Sequence, residues 1–488
     1  MSCTTILVGS QASYDGSCMI ARNDDTGAGS YSPKKFIVVL PDQQPRHYVS
    51  KISHVEIELP DDPMRYTSMP SVDSSKGIWA AAGINSAGVS MTATETITSN
   101  PRVLGADPLV VYDPKTKTPG GIGEEDLVVI TLPYIHSARE GVIRLGELSM
   151  KYGTYEMNGI AFADENEIWW FESIGGHNWM AKRVNPNEYV VMPNQLGIDS
   201  FDFEDATGDQ INYICSATLP ELVKKAHLDL SMNGIFNPRD AFGSADDSDH
   251  VYNTPRAWYM LRRLNPHAAN WDANETDFGP QSDTLPWSMV PEKKITVEEV
   301  KYLLSSHYQG TPYDPYLNYG DRSNCGKYRP IGINRTAFLS VSQLRKDMEP
   351  IEWVAFASNA FNVLIPFYTN VNEMPEYLSN TTMEVSTDNF YWVSRLIGAM
   401  ADASYSHSLI FIERYQENVT AKSHQILDKY DVLLAKNKNE SEQTLIEIRQ
   451  AANQEVADMA KAESAKVLDQ VLYELSNQMK NSYARSDA

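Results

Sequence analysis

A cysteine stands at the third position of the chain, where it could serve as a nucleophile. If Met1 and Ser2 are removed, Cys3 becomes the first residue and carries a thiol and a free α-amine together. A thiol ionises near pH ~8.5 and an α-amine near ~8, so the amine could accept the thiol proton close to neutral pH. Judged on position alone, the alternative is favoured, in which Cys3 is a small apolar residue that begins a buried strand.

Arg22 and Asp25 follow Cys3 at a spacing that could bring them beside it. Residues 4–8 predict a strand, residues 14–17 a turn, and the segment that ends at Asp25 a returning strand. An arginine stabilises a neighbouring thiolate, and a carboxylate can hold or orient an amine. A surface ion pair at a strand end is the alternative, and it is the favoured one when this pair is taken by itself.

The elements around these residues predict sheets covered by helices. Alternating or β-branched runs predict strands at 4–8, 35–40, 77–82, 89–94, 159–163, 168–172 and 189–192. Helical spacing occurs at 126–152, 219–230 and 254–264, and again from 411 to 479 with a break near 437–440. The order of strands, helix and strands indicates a largely antiparallel sheet system, and the last stretch predicts two long helices that pack on the core or on another subunit.

Composition and charge exclude several classes of function. The 488 residues include 41 Lys and Arg against 64 Asp and Glu, so the net charge is −23. A polyanion repels nucleic acid and anionic membranes, and no apolar run reaches the ~18 residues of a membrane helix. The start MSCTTILVGS does not have the pattern of a signal peptide, which predicts a cytoplasmic protein. The four cysteines and ten histidines show no ligand spacing, so we expect neither a metal nor a cofactor.

Seven segments between residues 3 and 368 together identify a family. They are CTTILVGSQASYDGSCMIARNDD at 3–25, GIWAAAGINSAGVSMTATET at 77–96, WWFESIGGHNWMAKRV at 169–184, YVVMPNQLGID at 189–199, YNTPRAWYMLRRLNP at 252–266, HYQGTPYDPY at 307–316 and WVAFASNAFNVLIPFY at 353–368. In this order they resemble the dipeptidase A family of N-terminal-nucleophile (Ntn) cysteine hydrolases from lactic acid bacteria. Secernins are more distant relatives, and bile-salt hydrolase and penicillin V acylase share the wider superfamily.

The resemblance implies an α+β fold, in the form of an Ntn-hydrolase four-layer αββα sandwich with a helical C-terminal extension. It also implies a division of the chain into three parts. Residues 1–2 would be a short propeptide, residues 3–410 the catalytic core with insertions, and residues 411–488 the helical C-terminal segment.

The resemblance also implies roles for particular residues. Cys3 corresponds to the nucleophile, and Arg22 and Asp25 to the Arg-x-x-Asp pair beside it. Asn194 corresponds to an oxyanion-hole asparagine, and Arg256 to a second active-site arginine. The acylases have an asparagine where this chain has Glu95, so an oxyanion role for Glu95 is weakened. Glu95 could instead bind the ammonium of a dipeptide, with a surface-loop residue as the open alternative.

The implied function is hydrolysis of a broad range of dipeptides through a thioester on Cys3, after autoprocessing, in a cytoplasmic homo-oligomer. Arg256 could bind the substrate carboxylate and Glu95 the substrate ammonium. Two alternatives remain open at this point: an N-acyl amide hydrolase on the same scaffold, and a non-catalytic, secernin-like interaction protein.

Overall fold

The computed structural model describes residues 3–27, 29–271 and 278–481, apart from the side chains of residues 93–95. It mixes sheets and helices, so the α+β class is confirmed. The strands are β1 (Thr4–Val8), β2 (Cys18–Asp25), β3 (Ile37–Val39), β4 (His47–Val49), β5 (Glu56–Glu58), β6 (Tyr66–Ser68), β7 (Ala82–Ile84), β8 (Ser90–Ile97), β9 (Met157–Ala163), β10 (Ile168–Ile174), β11 (Asn178–Arg183), β12 (Tyr189–Met192), β13 (Tyr213–Cys215), β14 (Ser288–Met289), β15 (Thr336–Leu344), β16 (Ile351–Phe356) and β17 (Ile365–Tyr368).

The α-helices described by the structure begin at residue 101, and the two longest are the last two. They are α1 (Pro101–Ala106), α2 (Leu127–Thr131), α3 (Ala138–Tyr152), α4 (Phe203–Thr207), α5 (Leu219–Lys225), α6 (Pro238–Phe242), α7 (Asp249–Tyr252), α8 (Thr254–Leu264), α9 (Val297–Leu304), α10 (Glu376–Ser379), α11 (Phe390–Ala403), α12 (Tyr405–Lys436) and α13 (Glu442–Asn477). Among the described helices, none combines the length and the apolar character needed to cross a membrane.

A seven-stranded antiparallel sheet carries the start of the chain. Its strand order is β14-β12-β1-β2-β15-β16-β17. Thr5 lies opposite Arg22 on one side and opposite Met192 on the other. Because antiparallel neighbours run in opposite directions, residues that precede Thr5 lie close to those that follow Met192. This register brings Cys3 towards both Arg22 and Asn194.

A second antiparallel sheet has the order β13-β11-β10-β9-β8-β7 and packs on the first. One hydrophobic cluster combines Ile20 and Val190 of the first sheet with Trp170 and Met180 of the second. Every residue of β2 is buried, because this strand has protein on both of its faces. The second sheet also packs against α3 through a separate cluster.

The two C-terminal helices share one hydrophobic core with the seven-stranded sheet. Ile412 of α12 and Val456 of α13 belong to the same cluster as Trp353 of β16. The Asn453 side chain donates to the carbonyl of Tyr368 and accepts from its N–H, both at 2.9 Å. Because β17 ends the sheet, Asn453 satisfies backbone groups of an edge strand. The two predicted helices therefore exist, while the division into 3–410 and 411–488 stays a prediction.

Three of the predicted elements are wrong in extent. The helix predicted over 219–230 ends at Lys225. The helix predicted over 126–152 is interrupted between α2 and α3, where Pro133 cannot supply the N–H that a continuous helix needs. The strand predicted over 77–82 begins only at Ala82. Trp79 and Ala81 have φ angles of 52° and 65°, and this left-handed conformation is incompatible with a strand.

Candidate active site

The thiol of Cys3 is fully buried and lies against a guanidinium. Nη2 of Arg22 donates to Sγ of Cys3 at 3.1 Å. The register of β1 and β2 creates this contact, because Thr4 pairs with Asn23 and Thr5 with Arg22. A permanent positive charge next to a thiol stabilises the thiolate, which is the nucleophilic form.

The same arginine holds two carboxylates. Nη2 of Arg22 lies 3.2 Å from Oδ1 of Asp24 and 2.9 Å from Oε1 of Glu124. Nζ of Lys34 is 3.1 Å from the other oxygen of Asp24. Burial by itself would raise the pKa of Asp24, but the charges of Lys34 and Arg22 hold that pKa below its ordinary value. The site therefore contains two cations and two carboxylates within one network.

The left-handed residues of the segment before β7 support this network. The carbonyl of Ala81 accepts from Nη1 of Arg22 at 3.1 Å, and the carbonyl of Trp79 accepts from Nζ of Lys34 at 3.0 Å. An L-residue in the left-handed region costs conformational energy, and such residues persist where surrounding contacts hold them. Here the strained backbone points two carbonyl groups at the two buried cations.

Metal-ligand types also meet at this point. One ligand atom from each of Cys3, Asp24 and Glu124 lies within 4.8 Å of the other two. All three side chains contact the same nitrogen of Arg22. The guanidinium therefore lies where a bound cation would otherwise bridge the three ligands.

The carboxylate of Asp25 has different partners from those of Asp24. It forms an ion pair with Arg329 and accepts from Oγ1 of Thr336 at 2.6 Å. Successive residues of a strand point to opposite faces, so Asp24 and not Asp25 shares a face with Arg22. Asp24, and not the predicted Asp25, therefore shares Arg22 with the Cys3 thiol.

Asn194 and Arg256 form a second group that reaches the main chain of Cys3. Arg256 is fully buried, and its Nη1 donates to the carbonyl of Cys3 and to Oγ1 of Thr4, the latter at 2.7 Å. Its Nη2 donates to Oδ1 of Asn194 at 2.8 Å and to Oδ1 of Asn253 at 2.6 Å.

The remaining N–H of Arg256, on Nε, donates to the carbonyl of Tyr252 at 2.7 Å. All five N–H groups of its guanidinium therefore have acceptors inside the protein. This geometry favours a role in holding Cys3 and Asn194 over direct binding of a substrate carboxylate. The side-chain amide of Asn194 donates to the carbonyl of Thr96 at 3.1 Å.

The predicted residues Met1, Ser2 and Glu95 lie wholly or partly outside the part of the chain that the structure describes. Met1 and Ser2 lie outside the described residues. Glu95 belongs to β8, but its side chain lies outside the described part of the chain. The structure thus brings together Cys3, Arg22, Asn194 and Arg256, and it gives Asp25 a separate arginine.

Two other cysteines differ sharply from Cys3 in their surroundings. Burial in apolar surroundings raises the pKa of Cys18 and of Cys215 to about 12. Both belong to the hydrophobic cluster between the sheets. Such thiols are poor nucleophiles near neutral pH.

Sequence reasoning missed Asp24 and Lys34. It also missed Glu124 and the acidic residues next to it. The N–H of Glu124 donates to Oε1 of Glu156 at 2.7 Å. The next two residues, Glu125 and Asp126, are also buried. Strand alternation from Arg22 could have indicated Asp24. Nothing in the local sequence connects Glu124 with Arg22, which lies 102 positions earlier.

A buried thiol in contact with a guanidinium, with an arginine-held asparagine linked to the main chain of the same cysteine, is compatible with a cysteine-dependent hydrolase. The comparisons with known proteins agree with this class. The sequence model of peptidase family C69 matches residues 2–418, and the chain belongs to this family.

Relatives align with the chain over nearly its whole length. It is 50% identical to a protein named dipeptidase from Bifidobacterium longum, with both chains fully covered. It is 48% identical to a probable dipeptidase A from Streptococcus pyogenes serotype M18, over 100% of this chain and 98% of the relative. It is 42% identical to dipeptidase A from Lactobacillus helveticus, over 97% of this chain and 96% of the relative.

Proposed function

We propose that this chain is a cysteine-type dipeptidase that uses Cys3 as its N-terminal nucleophile. The observation that carries the proposal is the 3.1 Å contact between Nη2 of Arg22 and Sγ of Cys3. Its support is the membership in peptidase family C69 and the full-length similarity to proteins named dipeptidase. The substrates are free dipeptides, and no cofactor takes part.

The first half of the reaction forms a thioester. Removal of Met1 and Ser2 exposes the α-amine of Cys3, which takes the thiol proton. The thiolate, stabilised by Arg22, attacks the peptide carbonyl carbon and forms a carbon–sulfur bond. The amide of Asn194 and a backbone N–H stabilise the oxyanion, and one such donor commonly contributes ~10²–10³ in rate. The carbon–nitrogen bond then breaks, and the leaving amine takes a proton from the Cys3 ammonium.

The second half of the reaction restores the enzyme. Water attacks the thioester carbonyl and gives a proton to the Cys3 amine. The carbon–sulfur bond breaks, the N-terminal amino acid leaves, and the thiolate is regenerated. Arg256 is a positioning residue in this scheme, because it joins the Cys3 carbonyl to the Asn194 side chain.

Asp25 supports the end of β2 from its other face. We propose that its ion pair with Arg329 and its bond to Thr336 hold the strand that presents Arg22. Residue Glu95 remains a candidate for contact with the substrate.

The remaining expectations belong to the same proposal. We propose that the two packed sheets and their helices form the four-layer sandwich of Ntn hydrolases. Residues 1–2 would be the propeptide, residues 3–410 the catalytic unit, and residues 411–488 a helical segment that supports it. The protein would act in the cytoplasm as a homo-oligomer. Size-exclusion chromatography with light scattering would test the oligomeric state, and a monomer would contradict it.

The activity can be tested with three purified proteins and one dipeptide. Wild type and Cys325→Ala are expected to hydrolyse Leu-Leu at similar rates, and Cys3→Ala is expected to have no measurable rate. Cys325 is the matched control, because it is a free cysteine outside the site and only partly buried. Equal activity in Cys3→Ala and wild type would exclude the proposed nucleophile. Hydrolysis of N-acyl amino acids with no action on dipeptides would exclude the proposed substrate.

A further inference from the structure

Glu124 and Glu156 lie at the edge of the Cys3 network, which consists of Cys3, Arg22, Asp24 and Lys34, and the surroundings of their two carboxylates differ. The carboxylate oxygen of Glu124 lies within 4.8 Å of Sγ of Cys3. The carboxylate of Glu156 accepts the backbone N–H of Glu124 at 2.7 Å. Among residues 3–27, 29–271 and 278–481, Glu156 has no cationic partner. It therefore differs from Asp24, whose two oxygens face Arg22 and Lys34.

The charges at this place do not balance. Arg22 and Lys34 supply two positive charges, whereas Asp24, Glu124 and Glu156 supply three negative charges, and the thiolate and the ammonium of Cys3 cancel each other. Burial, followed by repulsion from Glu124, raises the pKa of Glu156 to about 7. Glu156 is half-buried, so its uncompensated charge is partly desolvated, and a cation that enters the site with the substrate would compensate it.

A dipeptide brings such a cation to within a short distance of the nucleophile. Its α-ammonium nitrogen is two bonds from the carbonyl carbon under attack, which is about 2.5 Å. A group that binds this ammonium must therefore lie within a few ångströms of Sγ of Cys3. Glu124 meets this condition through its distance to the thiol, and Glu156 borders Glu124.

We propose that Glu124 and Glu156 bind the α-ammonium of the substrate's N-terminal residue and so select free dipeptides over N-blocked ones. This inference rests on the proposed dipeptidase function. The nucleophile itself marks the place as a substrate site, because the ammonium of any dipeptide attacked by Cys3 must come to rest beside it.

The neighbouring acidic residues are engaged elsewhere. Glu125 accepts from Ser50 at 3.0 Å and from Tyr155 at 2.5 Å. Asp126 accepts from Tyr48 at 2.6 Å and from the N–H of Gly123 at 3.0 Å. These bonds to neutral donors hold the two carboxylates in the packing around the site.

The test compares Leu-Leu with N-acetyl-Leu-Leu, which lacks the ammonium. Wild type is expected to favour Leu-Leu in kcat/KM by about 10- to 100-fold, the value of one charge-assisted hydrogen bond. Glu156→Gln keeps an acceptor for the N–H of Glu124 but removes the charge. This variant is expected to raise KM for Leu-Leu about tenfold with a much smaller change in kcat, and to leave N-acetyl-Leu-Leu unaffected.

Glu172→Gln is the matched control, because Glu172 is a buried glutamate that accepts from the Trp170 side chain and the N–H of Gly197. It is expected to keep the wild-type preference. Equal kcat/KM for both substrates in wild type would overturn the inference without any variant. An equal loss of kcat on both substrates in Glu156→Gln would also overturn it, since the acidic pair would then serve the Cys3 amine. A wild-type enzyme that hydrolyses neither substrate contradicts the proposed function itself.

Discussion

Buried carboxylates occur in two settings in this protein, beside Cys3 and in the interior of the sheets. Asp24 shares Arg22 and Lys34, and its pKa lies below the ordinary value because those cations outweigh burial. Glu352 and Glu172 are equally buried but accept hydrogen bonds from neutral donors, and burial raises the pKa of each to about 7. The fold thus gives the carboxylate that shares Arg22 with Cys3 two buried cations, whereas Glu352 and Glu172 have neutral hydrogen-bond donors.

The largest expected effect comes from removal of the central cation. Arg22→Gln is expected to lower kcat/KM for Leu-Leu about 10³-fold, because the thiolate and two carboxylates lose their shared positive charge. Arg22→Lys keeps a charge and should recover part of this loss. Steady-state kinetics with thermal unfolding as a control measure both effects. A folded Arg22→Gln enzyme with wild-type kinetics would show that the buried cation beside Cys3 has no role in the reaction.

The next effect separates two adjacent aspartates. Asp24→Asn leaves Arg22 without one of its carboxylates, and we expect kcat/KM to fall about 10²-fold through misplacement of the guanidinium. Asp25→Asn loses the ion pair with Arg329, so its main expected effect is on the unfolding temperature. Kinetics and unfolding curves of the two variants measure both effects. A greater loss of activity in Asp25→Asn than in Asp24→Asn at equal stability would contradict the separate roles of the two aspartates.

A third prediction concerns stability in the interior setting. The pKa of Glu352 is 4.5 ordinarily and about 7 in the folded protein. Its protonation therefore stabilises the fold fully below pH 4.5, and this contribution is lost as the pH rises to 7 and beyond. Between pH 5.5 and 7.5 the loss is about 2 kcal/mol. Denaturant unfolding should show a loss that is smaller by this amount in Glu352→Gln than in wild type, since Glu172 keeps its own contribution in both proteins, and parallel pH profiles would contradict the prediction.

The smallest expected effect is on substrate binding. Among the described residues, Glu124, Glu125 and Tyr155 are titratable groups that interact with Glu156, and the N-terminal amine lowers the pKa of Glu156, which is about 7. Ionisation of Glu156 creates the charge that attracts the substrate ammonium, so KM for Leu-Leu should fall about fivefold from pH 6 to pH 7.5. In Glu156→Gln this dependence should be absent. A KM that rises over the same range in wild type would contradict the assignment.

Local patterns were enough to find part of the site. The strand, turn and returning strand between Cys3 and Asp25 predict that Arg22 and Asp25 come back beside Cys3, and Nη2 of Arg22 lies 3.1 Å from Sγ of Cys3. The same pattern did not separate Asp24 from Asp25, because the prediction did not apply the two-residue alternation from Arg22.

Other parts depend on contacts that no local pattern contains. Glu124 reaches Arg22 from a segment between the strands, and Lys34 reaches Asp24 from the loop after β2. The segment before β7 has the composition of a strand, yet bonds from Lys34 and Arg22 to the carbonyls of Trp79 and Ala81 hold it in a left-handed conformation. In the segment before β7, tertiary contacts therefore outweigh the local preference for a strand.

The most direct test of the account is the intact mass of the purified protein, measured together with its hydrolysis of Leu-Leu. We expect an active enzyme whose mass lacks Met1 and Ser2, so that Cys3 is the first residue and supplies its own amine as the base. Full activity in a protein that retains both residues would contradict it, because the nitrogen of Cys3 would then be an amide that cannot accept the thiol proton.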